Sequence, residues 1–180
     1  MHRIVSGITT LQQHIETLCH TPEVYRPHAC PHCGLNRLWQ HGCYHRKADR
    51  RSKTGEDLNP IPIPRFCCPG CRHTCSRLPE CIAPRRWYDW IVQQTVLLLL
   101  LAGHSLCSVS RQLGMDRHTP RRWWQWLAMR SEAFGFHLRS RFAELGRVPD
   151  WTAFWRTCLD RMSLSEAMAW LDQNGVSVPC

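Results

Sequence analysis

Four of the twelve cysteines in this 180-residue chain are spaced to do chemistry. Cys30-Pro31-His32-Cys33 and Cys68-Pro69-Gly70-Cys71 are two Cys-x-x-Cys pairs with 34 residues between them. Four thiolates so spaced suit a tetrahedral Zn2+ ion, which makes Cys30, Cys33, Cys68 and Cys71 the candidate ligands of a structural zinc. Other readings compete. Cys-Pro-His-Cys alone could be a redox dithiol, but that motif should follow a strand and open a helix. Here it runs into Gly34-Leu35-Asn36-Arg37, which is turn chemistry. Cys67 adjoins Cys68, yet only Cys68 has the required spacing to Cys71. His32, His73 and Cys75 lie close enough in sequence to substitute as ligands. Cys19, Cys43, Cys81, Cys107, Cys158 and Cys180 have no paired spacing and read as small apolar or surface residues.

The elements around the pairs must hold them. Proline at the second position of each pair presets a tight turn, and Gly34 lets the chain leave the first one. Residues 35–39 and 43–47 are expected as a hairpin around His41-Gly42. Arg46 to Lys53 is read as an exposed basic loop. Asn59 to Phe66 alternates proline with isoleucine; because proline cannot donate to a ladder, the stretch is expected as an edge strand. His73 to Pro79 is the expected return strand. Large apolar residues are few in this half, so a core alone is too small and metal is expected to be required for folding.

Charge is segregated. Net charge is +9, with 13 Lys/Arg against 6 Asp/Glu in residues 1–88, 4 against 2 in residues 89–129, and 6 against 6 thereafter. A basic excess on one half points to a polyanion, and double-stranded DNA is the expected partner. The N-terminus lacks the apolar core of a signal peptide, and the longest apolar run is too short to span a bilayer. The expectation is therefore a cytoplasmic protein, with no membrane partner and with thiols that bind metal rather than form disulfides.

Read in order, Cys30-Pro31-His32-Cys33-Gly34, His41-Gly42-Cys43-Tyr44-His45-Arg46, residues 61–71 and Leu78-Pro79-Glu80 form a pattern that resembles the N-terminal zinc-ribbon region of bacterial insertion-sequence transposases and short transposase-like proteins. In those families a helix-turn-helix usually follows, and the pair is thought to bind the element's terminal repeats, so the resemblance implies a bacterial, nucleoid-associated protein. The resemblance covers roughly residues 28–127. Two positions depart from it: Arg72 stands where a second glycine commonly follows, and Cys75 where an aromatic is common.

A helical module fits that order. Helices are expected over about 88–102 and from Ser105 as N-cap to about Leu113, with Gly114-Met115-Asp116 as the turn into a third. Leu97 to Leu101 is apolar all round, which implies burial on most sides. Arg117, His118, Arg121, Arg122 and Gln125 would face outward from the third helix, where Arg and Gln can read base edges in the major groove. Pro120 complicates its start: either Thr119 caps a late helix, or the first turn is irregular. Trp123 and Trp126 read as core; Trp124 lies on a flanking face, where packing is the simpler role.

Further helices are expected over 132–145, 151–159 and 164–173, the last opened by a capping box at Ser163 and Glu166. Their apolar face would pack on the helical module or mediate oligomerisation. The acids of this tail, Glu132, Glu144, Asp150, Asp160, Glu166 and Asp172, sit where solvated faces and caps are expected. No set of three carboxylates on an α/β core is apparent, so the chain is not expected to be an enzyme. The resulting expectation is α+β overall: a short lead-in (1–27), a small β zinc ribbon (28–84), an all-α helix-turn-helix (85–129) and a helical tail (130–180). Arg46, Lys47, Arg50, Arg51 and Lys53 would contact phosphates, and the third helix would read bases. A homodimer or a separate transposase subunit would be further partners. The alternative is a protein-interaction module in which the ribbon and the Trp-rich tail dock a partner.

Overall fold

The computed structural model describes residues 3–47, 60–84, 88–148 and 150–178. The chain divides into two compact units, residues 1–89 with 177–180, and residues 90–176. Content is mixed α+β, with six α-helices and two small sheets among the described residues.

In the first unit the lead-in is part of the core. Strand β1 (Ile4–Val5) and helix α1 (Leu11–His20) come before the first cysteine pair. The helix starts at a capping box: Thr10 accepts from the Gln13 N–H, and Gln13 reaches back to the Thr10 N–H. A 3-10 turn, Pro22–Tyr25, follows. Strands β2 (Trp39–Arg46), β3 (Ile61–Cys67) and β4 (Thr74–Cys75) form an antiparallel sheet, while β5 (Leu78–Pro79) pairs in parallel with β1. Two apolar clusters fill this unit. Val5, Ile8, Tyr25, Leu38, Phe66 and Cys75 surround Cys30 and Cys68; Ile61, Ile63, Leu78 and Ile82 form the other.

Two strand expectations are corrected. Residues 39–46 are one strand rather than a hairpin: Gly42, at φ 69°, serves a bulge in β2. Gln40 pairs with Phe66 and Cys43 with Pro64, so β2 carries one extra residue between them. Strand β3 is the middle strand, not an edge. Its prolines are tolerated because β4 pairs only with Phe66 and Cys67, leaving residues 62–64 laddered to β2 alone. On the open side the Pro62 carbonyl accepts instead from the buried His14 ring at 2.9 Å.

In the second unit α2 (Trp90–Leu101) packs against α3 (Leu106–Leu113), α4 (His118–Arg141), α5 (Trp151–Leu159) and α6 (Leu164–Gln173). Packing on several sides explains the apolar run at its C-terminal end, where Val96, Leu97, Leu100 and Leu101 are all buried. Ser105 caps α3 by accepting from the Ser108 N–H, and Gly114 closes it in the left-handed region at φ 59°. The expected separate helix over 132–145 is corrected, because α4 runs unbroken through the 129/130 division to Arg141. The tail helices share this core: buried Trp155 donates to Ser131 on α4 at 3.0 Å, and Trp124 packs on Trp151 at 4.7 Å between centroids. Asp172, expected on a solvated face, is buried. Among the described residues no helix is long and apolar enough to cross a membrane.

Candidate functional site

Both cysteine pairs sit in turns built alike. The Cys30 N–H donates to the Leu35 carbonyl and the Gly34 N–H to the Cys30 carbonyl, each at 2.9 Å. The second turn repeats this: Cys68 N–H to His73 O at 3.0 Å, and Arg72 N–H to Cys68 O at 2.8 Å. Each turn therefore puts its fifth residue in the left-handed region, Gly34 at φ 76° and Arg72 at φ 58°. Glycine adopts that conformation freely and arginine does not. The turns face each other closely: a Cβ on Gly70 would lie 3.2 Å from Leu35 Cδ2, so position 70 favours glycine for space.

Facing turns bring four sulfurs together. The Sγ atoms of Cys30, Cys33, Cys68 and Cys71 all lie within 4.8 Å of one another. Cys30–Cys71 and Cys33–Cys68 are each 3.5 Å apart. A tetrahedral ion with bonds of about 2.3 Å would hold its sulfurs about 3.8 Å apart, so the donor set fits a metal ion. Burial disfavours the Cys30 thiolate, but the Cys33 and His32 N–H groups and the sulfurs of Cys71 and Cys68 outweigh it, bringing the thiol down to about 6. At Cys71 the His73 N–H favours the thiolate, but burial and the other three sulfurs prevail and push the thiol up to about 12. One thiolate thus resists the next, and a central dication would offset that repulsion.

The competing ligands go elsewhere. His32 and His73 stack on each other at 4.0 Å between centroids. Cys75 is buried in the apolar cluster. Cys67 is a strand residue whose thiol lies 3.8 Å from the carbonyls of Cys68 and Arg72.

The basic candidates separate by environment. Arg46 is half-buried and donates to the Ala83 carbonyl at 2.6 Å, tying the end of β2 to the chain after β5. Burial lowers its pKa. Lys47 is exposed; Arg50, Arg51 and Lys53 lie outside the described residues. Arg117, just before α4, and His118, Arg121, Arg122 and Gln125 on it are all exposed. The helix begins at His118, earlier than the late start that is one of the two readings of Pro120, and the Asp116 Oδ1 accepts the His118 N–H at 2.7 Å. Pro120 then lies in the first turn, where the N–H groups lack intrahelical partners and a missing one costs little.

Several ties had escaped the sequence reading. Glu80 is buried and accepts the Gly7 N–H at 2.9 Å, and Arg77 donates to the Ile4 carbonyl at 3.1 Å. Nothing in the local sequence marks these partners, which are 73 residues apart. Thr10 and Gln13 did carry a readable capping-box spacing.

A family model described as Domain of unknown function (DUF6431) matches residues 30–123, just over half of the chain. No curated protein and no solved structure matches it.

Proposed function

The chain belongs to the family described as Domain of unknown function (DUF6431), whose span runs from the first clustered cysteine into α4, and from that premise we propose that the two parts act on one target, duplex DNA. In this reading the four-cysteine unit is a zinc ribbon, and α3, the Gly114 turn and α4 are a helix-turn-helix. The protein is then a zinc-dependent, sequence-specific DNA-binding protein of transposase-like type, serving targeting or regulation.

The observation that carries the reading is the start of α4. Five polar or cationic side chains, Arg117, His118, Arg121, Arg122 and Gln125, are exposed there, while Trp123 and Leu127 hold the opposite side in the core. A helix presented this way offers guanidinium and amide groups to base edges. A tetrahedral set of four thiolates is a common ligand set for structural Zn2+. Arg46, already tied to Ala83, serves the fold in this reading, and Lys47 is left as the described phosphate contact of the basic run.

Duplex binding measured against salt is the test. Replacing Arg121 and Arg122 with alanine should weaken binding roughly tenfold or more per residue and flatten the salt slope by about one per lost phosphate contact. Unchanged affinity in the double variant would sink the reading. The interaction-module alternative gains little from the tail, because Trp155 is buried and Trp151 is engaged by Trp124.

A further inference from the structure

The sheet of the first unit carries an aromatic and basic face that duplex reading by α4 leaves unused. Trp39 at the start of β2 is 54% exposed, the most exposed large apolar side chain among the described residues of that unit. The Arg37 guanidinium lies 5.9 Å from its ring centroid. Further along, the Arg65 guanidinium lies 5.5 Å from the Tyr44 ring.

Tyr44 lies five positions after Trp39, and in a regular strand that would put them on opposite faces. The bulge changes this. Trp39 pairs with Cys67 and Tyr44 with Ile63, and Ile63, Arg65 and Cys67 alternate onto one face of β3. The extra residue at Gly42 therefore brings both rings to the same side, about 13 Å apart along the strand, with Arg65 between; at the Tyr44 end that side is closed by the buried Ile61 and Ile63 cluster on which Tyr44 packs, so the open part is the Trp39 end.

Charge selects the occupant. Residues 30–47 and 60–79 contain six Arg/Lys and no Asp or Glu. Strands and turns without acids are suited to a polyanion, and an exposed indole flanked by guanidinium is suited to a flat ring. Bases inside a duplex offer no free ring face; unpaired bases do. We propose that this face is a stacking site for single-stranded nucleic acid. Trp39 is the base platform, and Arg37 and Arg65 engage the adjoining phosphates.

The test uses the full, metal-loaded chain with a short fluorescein-labelled oligo(dT) strand and a duplex of equal length. Trp39→Ala should weaken single-strand binding about tenfold, and Trp39→Phe should restore most of it. Arg37→Ala should reduce the salt slope for the single strand by about one. Duplex affinity should be unchanged in all three, and metal content should match the unaltered protein. Three outcomes overturn the proposal: no oligo(dT) binding by the unaltered chain, an unaffected Trp39→Ala variant, or equal loss on single strand and duplex. The Arg121 and Arg122 variants report on duplex reading separately, so either proposal can fail alone.

Discussion

Arg72 is where residue-scale cost is most visible. It is the described non-glycine residue with positive φ, at 58°, in a turn whose twin uses Gly34. A left-handed conformation costs an L-residue about 1–2 kcal/mol, partly offset by the chain entropy that glycine would bring. Arg72→Gly is therefore expected to stabilise the metal-loaded protein by about 0.5 kcal/mol, and Gly34→Ala to destabilise it by about 1 kcal/mol. Denaturant midpoints decide it; destabilisation by both would contradict the twin-turn account. His14 makes a second prediction. The Pro62 carbonyl can only accept, so His14 Nε2 carries the proton and Nδ1 accepts from the Tyr25 hydroxyl at 2.6 Å. Burial lowers the imidazole pKa below 6.5, against a smaller upward pull from Pro62. The unfolded chain then binds the proton more readily, so this stabilisation is complete above about pH 6.5 and is lost as pH falls through the folded value. An NMR titration should give His14 a midpoint below 6.5, and His14→Phe should flatten the acid-side slope of stability.

At the scale of elements, what was legible was what local chemistry dictates. The cysteine pairs, the Ser105 cap, the Gly114 stop and the box at Ser163 and Glu166 all appear where spacing put them. The misses involve partners distant in sequence. His41-Gly42 is compatible with a hairpin turn or a bulge, and only the pairing of β2 with Phe66 and Pro64 decides between them. Alternating prolines do require an open side, but the whole strand need not be an edge; β4 is merely too short to reach them. The break expected near residue 130 had no stop signal, since Arg130, Ser131 and Glu132 all continue a helix readily. Gly135 within α4 is buried, with the Arg139 guanidinium and Phe154 beside it, so the small residue makes room rather than ending the helix.

For the molecule as a whole, the two units differ in what holds them. The first has short strands and two small apolar clusters, with four cysteine sulfurs converging at one of them. A structural zinc contributes on the order of 10–16 kcal/mol in small metallo-domains, more than such clusters supply net of chain entropy. The second unit has a continuous helical core including Leu97, Leu127, Phe134, Trp155 and Leu171. Removing metal with a chelator should therefore collapse the amide spectrum of residues 1–89 while that of residues 90–176 persists. Retention of both sets would show that the cysteines are not needed for folding.

The unbroken α4 also fixes an angular phase. Each added residue turns one half of a helix by 100° against the other, so its basic N-terminal side and the Ser131, Phe134 and Leu138 side cannot be adjusted independently. One alanine inserted after Arg130 should swing the buried side out of register and unfold the second unit. Seven inserted residues return the phase to within about 20°, leaving a displacement along the axis as the main disturbance. Comparing their thermal melts separates rotation from translation. It also indicates where a hybrid protein should be joined: at the Gly103 or Gly114 turns, and not within this helix.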